Sequence, residues 1–202
     1  YLGRYQEALA LNEQIMAVRK DALGEKNPAA FTCMNNLAAD YSDIGCYQKA
    51  MEMDKQILDL EKETLGERHP NTLISMTNLA ADYTALGHYK EAVALDEQTL
   101  ILKKEVLGEK HPDTLQSMMN LAAGYTALGR YKDAMEMNEK ALIFMKEVLG
   151  EKHPNVLTGM INLASDYTAL GCYTDAMELD EKTLALVKEV LGEKHPNTLT
   201  CM

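Results

Sequence analysis

The sequence predicts an all-α solenoid, built from antiparallel helix pairs that repeat every 42 residues. Two sets of helix-breaking residues lead to this prediction. The five prolines are 42 residues apart, at Pro28, Pro70, Pro112, Pro154 and Pro196. Ten of the twelve glycines recur every 21 residues, from position 3 to position 192. A fixed period of this size is the sequence signature of a repeat protein, in which each copy packs on its neighbours.

Each half of the repeat has the hydrophobic period of an α-helix. Between Pro70 and Leu86, apolar residues stand at positions 73, 76, 79, 80 and 83, which matches the i, i+3, i+4, i+7 pattern. The segment from Tyr89 to Leu107 mixes apolar and charged residues in the same way. Proline lies just inside each first helix and glycine just past each helix end, which is the usual start and stop asymmetry. Each repeat is therefore predicted to be one helix pair with short turns.

The repeat register places all of residues 1–202 in one array, which we interpret as a fragment of a longer protein. A second-type helix at about residues 5–22 comes first, without its partner. Four complete repeats then start at about residues 28, 70, 112 and 154, and a truncated helix runs from Pro196. Natural repeat arrays end in polar capping units, and neither end here has one. Because the two ends are complementary halves of one interface, the sequence also predicts head-to-tail self-association.

The repeated residues resemble the tetratricopeptide repeat, a helix-pair motif with a usual length of about 34 residues. The resemblance lies in Asn78-Leu79-Ala80, Tyr83, Gly87, Tyr89 and Ala92. The 42-residue length and the Leu-Gly-Glu-Lys-His-Pro joint at 107–112 resemble the version found in kinesin light chains. The resemblance covers essentially the whole chain, and it implies a right-handed superhelix whose concave groove binds other proteins. Because similar arrays occur in motor adaptors and nucleotide-binding immune-type receptors, a regulatory arm of such a protein is an alternative function.

One asparagine in each first helix is the candidate peptide-binding residue. The family resemblance places this helix face in the concave groove. An asparagine side chain has both a donor and an acceptor, so it can pair with the backbone of an extended peptide whatever the peptide's side chains. The alternative is a structural role, in which the amides bond only to neighbouring helices. The four asparagines are Asn36, Asn78, Asn120 and Asn162.

Residues that differ between the repeats on this face are predicted to set peptide specificity. The face is small, neutral and mildly apolar, and four aspartates are expected near its edge, Asp40, Asp43, Asp82 and Asp166. Kinesin light chain grooves favour acidic peptides through basic residues, and this chain lacks basic residues at those positions. With a formal net charge of −11, it is expected to bind a neutral or basic peptide instead. The predicted specificity and face residues are Ile74, Thr77, Gln116, Met119, Thr84 and Thr126.

Histidine precedes the proline of four repeats, at positions 69, 111, 153 and 195. One histidine per repeat forms a row rather than a cluster around one ion, so no metal is predicted. The first copy has Asn27 at the same position, and asparagine is a preferred N-cap. We therefore predict that these side chains cap the first helices. The repeated tyrosines, and the methionine column that includes Met76, Met118 and Met160, are predicted to lie in the core.

Composition and charge argue against several other functions. The net charge of −11 disfavours nucleic acid and anionic membrane as partners, and no segment has the roughly 18 apolar residues of a membrane span. The four cysteines form no CxxC motif, which favours reduced thiols and a cytoplasmic location. No nucleophile–base motif, paired-carboxylate site or phosphate-binding glycine loop occurs, so the prediction is a non-enzyme without cofactors. The sequence predicts a protein-interaction scaffold.

Overall fold

The computed structural model describes residues 11–15, 17–18, 21, 24 and 27–191. Within residues 27–191 the chain forms eight α-helices. Their bounds are α1 Pro28–Asp43, α2 Tyr47–Thr64, α3 Pro70–Ala85, α4 Tyr89–Leu107, α5 Pro112–Ala127, α6 Tyr131–Leu149, α7 Pro154–Ala169 and α8 Tyr173–Leu191. Residues 11–15, 17–18 and 21, inside the predicted helix at 5–22, are also helical. The rest of that helix, and the predicted helix from Pro196, lie outside the described residues.

A tight turn with a glycine at its centre joins the two helices of each pair. After α3, Gly87 has a φ of 78°, in the left-handed region that glycine adopts without strain. The backbone N–H of Gly87 donates to the carbonyl oxygen of Thr84 at 3.0 Å, and that of His88 donates to Tyr83 at 2.8 Å. These bonds satisfy carbonyl groups that have no partner at the end of a helix. The glycine period of the sequence therefore follows from the geometry of the helix ends.

Three of the first helices, α3, α5 and α7, begin with a histidine cap, as the sequence predicts. The Nδ1 atoms of His69, His111 and His153 each accept a hydrogen bond, at 3.2 Å, from the backbone N–H two residues later. The proline that follows occupies the first turn, where its missing N–H leaves no helical hydrogen bond unmade. The cap prediction is confirmed for these three residues, and His195 lies outside the described residues.

The chain divides into two compact units, Tyr1–Val106 and Leu107–Met202. In the first unit α2 packs against both α1 and α3. A core cluster of this unit consists of Met51, Leu58, Leu73, Met76 and Leu79. In the second unit α6 packs against both α5 and α7, and α7 packs against α8. Its largest fully buried side chains are Leu115, Met118, Leu121, Met145, Val156 and Met160.

The methionine and tyrosine columns differ in how far they are buried. Met76, Met118 and Met160 are fully buried, which confirms the core prediction for them. The tyrosines late in the first helices are buried or half-buried, namely Tyr41, Tyr83, Tyr125 and Tyr167. The tyrosines that open the second helices are exposed by 38% or more, namely Tyr47, Tyr89, Tyr131 and Tyr173. The core prediction is wrong for this second column, because a helical side chain leans toward the preceding turn and the first helical residue has no such turn to pack on.

Candidate functional site

The predicted asparagines lie on one exposed face of the first helices. Residues spaced i, i+4 and i+7 share this face, and all of them are exposed or half-buried. We call it the asparagine face: Thr32, Asn36 and Ala39 in α1; Ile74, Asn78 and Ala81 in α3; Gln116, Asn120 and Ala123 in α5; Thr158, Asn162 and Ser165 in α7. None of these side chains is charged, as the sequence predicts.

Three of the four asparagine amides are unused within the described part of the chain. The side chains of Asn36, Asn78 and Asn162 make no hydrogen bond to any described residue. The Oδ1 atom of Asn120 accepts a bond from Gln116 Nε2 at 3.0 Å, one turn earlier in α5. Because an amide has both a donor and an acceptor, these side chains have hydrogen-bonding capacity that the described residues do not use.

The other predicted site residues lie in three different environments. Ile74 is 53% exposed and Gln116 is exposed, both on the asparagine face. Thr84 and Thr126 donate to the carbonyl oxygen four residues earlier, at 3.0 and 3.1 Å. Thr77 is half-buried, and its hydroxyl oxygen accepts a bond from Lys103 Nζ at 3.0 Å.

Met119 is the exception among the predicted specificity residues. It is 7% exposed, so it belongs to the buried side of α5 and not to the asparagine face. Its counterparts Thr77 and Asn35 are half-buried and Ile161 is exposed, so this position lies at the border of the two sides. A long, flexible methionine side chain at such a border folds onto the apolar surface. The specificity prediction is therefore wrong for Met119.

A row of polar side chains lies directly beneath the asparagine face, between consecutive repeats. Asn138 Nδ2 in α6 donates to Asp166 Oδ2 in α7 at 2.6 Å, across 28 positions of sequence. Asn12 Nδ2 donates in the same way to Asp40 Oδ2, at 2.5 Å. The hydroxyl of Ser42 donates to Asp82 Oδ1 at 2.9 Å. Asp82 and Asp166 are 5% and 3% exposed, so they lie buried beneath the asparagine face and not exposed at its edge.

Two carboxyl groups face each other at one point of this row. Asp54 in α2 is 3% exposed and stands where Asn138 stands two repeats later, with Asp82 as its neighbour in α3. Burial, and then the charge of Asp82, raise the pKa of Asp54 to about 7. Burial also raises the pKa of Asp82, although the Ser42 hydroxyl lowers it in part. The pair therefore shares a proton near neutral pH.

This acid pair was missed at the sequence level, where no paired-carboxylate site was found. Asp54 and Asp82 lie on consecutive helices, α2 and α3, and 28 residues apart, so neither shares a helix face or a local motif with the other. The signal that could have found them is the constant 28-residue separation of the equivalent pairs Asn12–Asp40 and Asn138–Asp166. Asp82 lies the same 28 residues after Asp54, so the separation identifies Asp82 as its partner.

A second buried position on the second helices changes its chemistry from copy to copy. It is occupied by Glu61, Lys103 and Met145, which are 0%, 6% and 2% exposed. Burial raises the pKa of Glu61, and the nearby Ser75 hydroxyl lowers it in part. Burial also raises the pKa of Asp96 to about 6, against the opposing effect of Lys103. This one position between repeats is therefore occupied by a charged residue type in the first unit, at Glu61 and Lys103, and by an apolar residue at Met145 in the second unit.

In the second unit a pocket opens on the asparagine face. Its volume is about 180 Å³, and it lies above the polar row. The residues that line it are Ala123, Thr126, Asn138, Asn162, Ser165 and Asp166. The pocket therefore brings together one predicted asparagine, one predicted threonine and the buried pair Asn138–Asp166.

The described residues contain neither a metal-binding cluster nor a membrane-spanning helix. No three histidine, cysteine, aspartate or glutamate side chains stand close enough together there to hold a metal ion. No described helix has both the length and the apolar character that crossing a membrane requires. The arrangement offers hydrogen-bonding amides, a polar pocket and a neutral surface, which suit binding.

Comparison with known proteins agrees with the repeat geometry. A sequence profile of the tetratricopeptide repeat matches residues 72–113, 114–155 and 156–197, and a second profile of this repeat matches residues 1–63. The chain belongs to the tetratricopeptide repeat family. Both the family resemblance and the fold class predicted from the sequence, an all-α solenoid of helix pairs, are thereby confirmed.

Solved tetratricopeptide-like structures share the fold. A kinesin light chain-like protein of Podosopora anserina, with nearly identical TPR-like repeats, is 33% identical with a TM-score of 0.84, over 93% of this chain and 88% of that one. BtubC from P. vanneervenii is 22% identical with a TM-score of 0.84, over 96% and 77%. A Rap protein complexed with Competence and Sporulation Factor is 16% identical with a TM-score of 0.71, over 99% and 58%. Among curated proteins, none matches the chain in sequence.

Proposed function

We propose that this tetratricopeptide repeat chain holds an extended peptide segment of a partner protein along its asparagine face. Tetratricopeptide repeats are scaffolds for protein–protein interaction, which sets the class of function. The Rap structure solved with Competence and Sporulation Factor supports the proposal, because it is an array of the same fold with a bound partner. The finer assignment rests on the geometry of this chain.

The observation that supports the proposal most strongly is the set of free amides. Asn36, Asn78 and Asn162 have no hydrogen-bond partner among the described residues and reach the exposed side of their helices. An extended peptide has alternating backbone donors and acceptors, which such amides pair with regardless of the peptide's side chains. Each helix is fixed by its buried neighbours, so binding requires little ordering of the scaffold.

The charge of the chain limits the peptides that it accepts. The asparagine face has no charged residue of its own, while the whole chain has a formal net charge of −11. A peptide that approaches the face therefore meets a negative long-range field without a basic residue to anchor an acidic side chain. We propose that neutral or basic peptides bind and that acidic peptides are disfavoured.

Two matched double variants test the proposal. Asn78→Ala with Asn162→Ala removes one free amide from each unit. Gln56→Ala with Gln98→Ala is the control, because it removes two exposed side-chain amides from the second helices α2 and α4, which are not part of the asparagine face. Each protein is titrated against a pooled library of unstructured acidic, neutral and basic peptides, and circular dichroism verifies equal helix content.

The proposal predicts that the wild-type chain and the control enrich the same neutral or basic peptides, and that the asparagine-face variant loses them. Removing one hydrogen bond at an interface weakens binding by roughly 1 kcal/mol or about fivefold, so two such losses give about 25-fold. Equal enrichment by all three proteins would show that the amides have a structural role only. Enrichment of acidic peptides would contradict the charge preference alone.

A second candidate function is self-association through α8. Tyr173 and Met177 are 70% and 61% exposed, whereas the equivalent Tyr131 is 38% exposed and the equivalent Met135 is half-buried. They line a depression of about 310 Å³ together with Ala176 and Leu184. In α6 this side of a second helix packs against the next first helix. We propose that a first helix of another copy covers it, in a head-to-tail contact that propagates.

Light scattering tests this second candidate as a function of protein concentration. The proposal predicts masses above the 22.5 kDa of one chain, and a return to that mass in the Met177→Glu variant. Ile143→Glu is the control, because Ile143 is an equally exposed apolar residue, 57% accessible, on α6. A constant mass of one chain up to millimolar protein would exclude self-association, and an equal effect of both variants would exclude α8 as its site.

A further inference from the structure

The pocket on the asparagine face of the second unit has an acceptor-rich floor. Asp166 is 3% exposed, and its Oδ2 atom receives a bond from Asn138 Nδ2 at 2.6 Å. Its Oδ1 atom lies 3.2 Å from the Thr126 hydroxyl, whose single proton is shared with the carbonyl oxygen of Ala122. Asn138 is also 3% exposed, and its Oδ1 atom has no hydrogen-bond donor among the described residues. A buried carbonyl oxygen without a donor destabilises the fold, because it loses its hydrogen bonds to water and gains none in return. The site therefore has an unmet need for a donor.

The pocket also has a buried carboxyl group, Asp166, that no described cation pairs with; burial raises its pKa, and the hydrogen bonds from Asn138 and Thr126 lower it in part. Lysine and arginine are absent from its lining, which consists of small side chains around Asn138, Asn162 and Asp166. No described ion pair involves Asp166. A buried carboxylate without a cation is a preferred binding site for a positive group that can also donate hydrogen bonds.

The size of the pocket matches one side chain. Its volume of about 180 Å³ corresponds to roughly six water molecules at about 30 Å³ each. This is enough for the four methylenes and the ammonium group of a lysine, whose apolar stem would pass Ala123 and Thr126 at the rim. The ammonium group has three donors, so it can serve both Asp166 and the Oδ1 atom of Asn138.

We propose that this pocket receives a lysine side chain of the bound peptide, with Asp166 and the Asn138 carbonyl oxygen as its acceptors. The inference rests on the proposed binding of an extended peptide by the asparagine face, and it adds the residue type that is selected at one position. Asn162 lines the same pocket, so it is placed to hold the peptide backbone next to that lysine.

Peptides that differ in one residue test the pocket. The probes are fluorescent nonapeptides of glycine, alanine and serine with a single central lysine, norleucine or glutamate, titrated against the full chain by anisotropy. Hydrogen bonds to charged groups are worth roughly 1.5 to 3 kcal/mol, which corresponds to an expected preference for lysine over norleucine of about tenfold or more.

Two variants change the pocket in different ways. Asp166→Asn removes its charge and is expected to fold, because the new amide nitrogen can donate to the Oδ1 atom of Asn138 once that side chain rotates. Ala123→Leu fills the pocket from an exposed position without changing the charge. Glu136→Gln is the control for net charge, since the Glu136 side chain is 62% exposed on α6 and does not line the pocket.

The proposal predicts that both pocket variants reduce the lysine preference to less than about threefold, while Glu136→Gln retains it. Equal binding of the lysine and norleucine peptides by the wild-type chain would overturn the pocket assignment and leave peptide binding by the asparagine face intact. A preference that survives in Asp166→Asn, or disappears equally in Glu136→Gln, would assign it to the general charge of the surface and overturn the pocket. Failure of the wild-type chain to bind any probe or library peptide would overturn the proposed function together with this inference.

Discussion

Replacing Asp54 by asparagine should stabilise the chain, and the gain should grow with pH. Asp54 is 3% exposed beside Asp82, so it ionises only at the cost of burying a second negative charge. Asn138 shows that an asparagine at the equivalent position donates a good hydrogen bond, at 2.6 Å, to its aspartate neighbour. The substitution therefore keeps the contact and removes the charge.

The size and the sign of the effect follow from the pKa of Asp54, which is 3.8 ordinarily and about 7 in the folded chain. Because the folded state binds more protons than the unfolded state between these values, stability falls as the pH rises through this window and levels off above it. At about 1.4 kcal/mol per pH unit, the cost is at most about 4 kcal/mol at pH 8 and about 2 kcal/mol at pH 5. Asp54→Asn should recover most of this cost at each pH.

Urea unfolding followed by circular dichroism at pH 5, 6, 7 and 8 measures the effect, since urea does not screen charges as guanidinium does. The control is the reverse change, Asn138→Asp, which builds a second acid pair with Asp166. It should destabilise the chain, by more at pH 8 than at pH 5. A gain from Asp54→Asn that is the same at pH 5 and pH 8, or a loss at pH 8, would refute the reasoning.

Three further substitutions have expected outcomes in the same unfolding assay. His111→Ala should lower the unfolding free energy by about 1 kcal/mol by removing the cap of α5, while His111→Asn should leave it nearly unchanged; equal losses would exclude the cap. Glu61→Gln should be stabilising at neutral pH and lose its advantage on acidification, because burial raises the pKa of Glu61 and the folded state gains a proton as the pH falls; a gain that persists in acid would point to packing instead. Arg68→Ala should change stability by less than about 1 kcal/mol, because its 2.7 Å ion pair with Glu105 is exposed; a larger loss would show that the pair is coupled to a network.

The sequence predicted the helices well because their ends depend on local chemistry. Gly87 adopts the left-handed conformation that its turn requires. The Nδ1 atom of His69 caps α3 by accepting a hydrogen bond from the backbone N–H of Asn71, only two residues later. Both requirements recur in every copy, so the internal repeats served in place of an alignment. The all-α repeat architecture followed from this period, and the family followed from the resemblance of the repeated residues to the tetratricopeptide repeat.

The side-chain contacts between consecutive repeats could not be predicted from the local sequence in the same way. The partnership of Asp54 and Asp82 depends on how one helix pair packs on the next, and only the register between repeats reveals it. Met119 sits at the border between the buried and exposed sides of α5, where side-chain length decides the outcome. The exposed tyrosines such as Tyr89 fit the apolar pattern of the helix, but each is the first residue of its helix, so there is no preceding turn for its side chain to pack on.

The most direct test of the central claim is an NMR titration that follows the side-chain amide signals of the asparagines. Peptides enriched by the wild-type chain are added to the ¹⁵N-labelled protein, and the signals of Asn78 and Asn162 are compared with the side-chain amide signals of Gln56 and Gln98, which are exposed on the second helices. The account predicts saturable shifts at Asn78 and Asn162, and little change at the two control glutamines. Peptide binding that leaves the signals of Asn78 and Asn162 unmoved while others shift would contradict it.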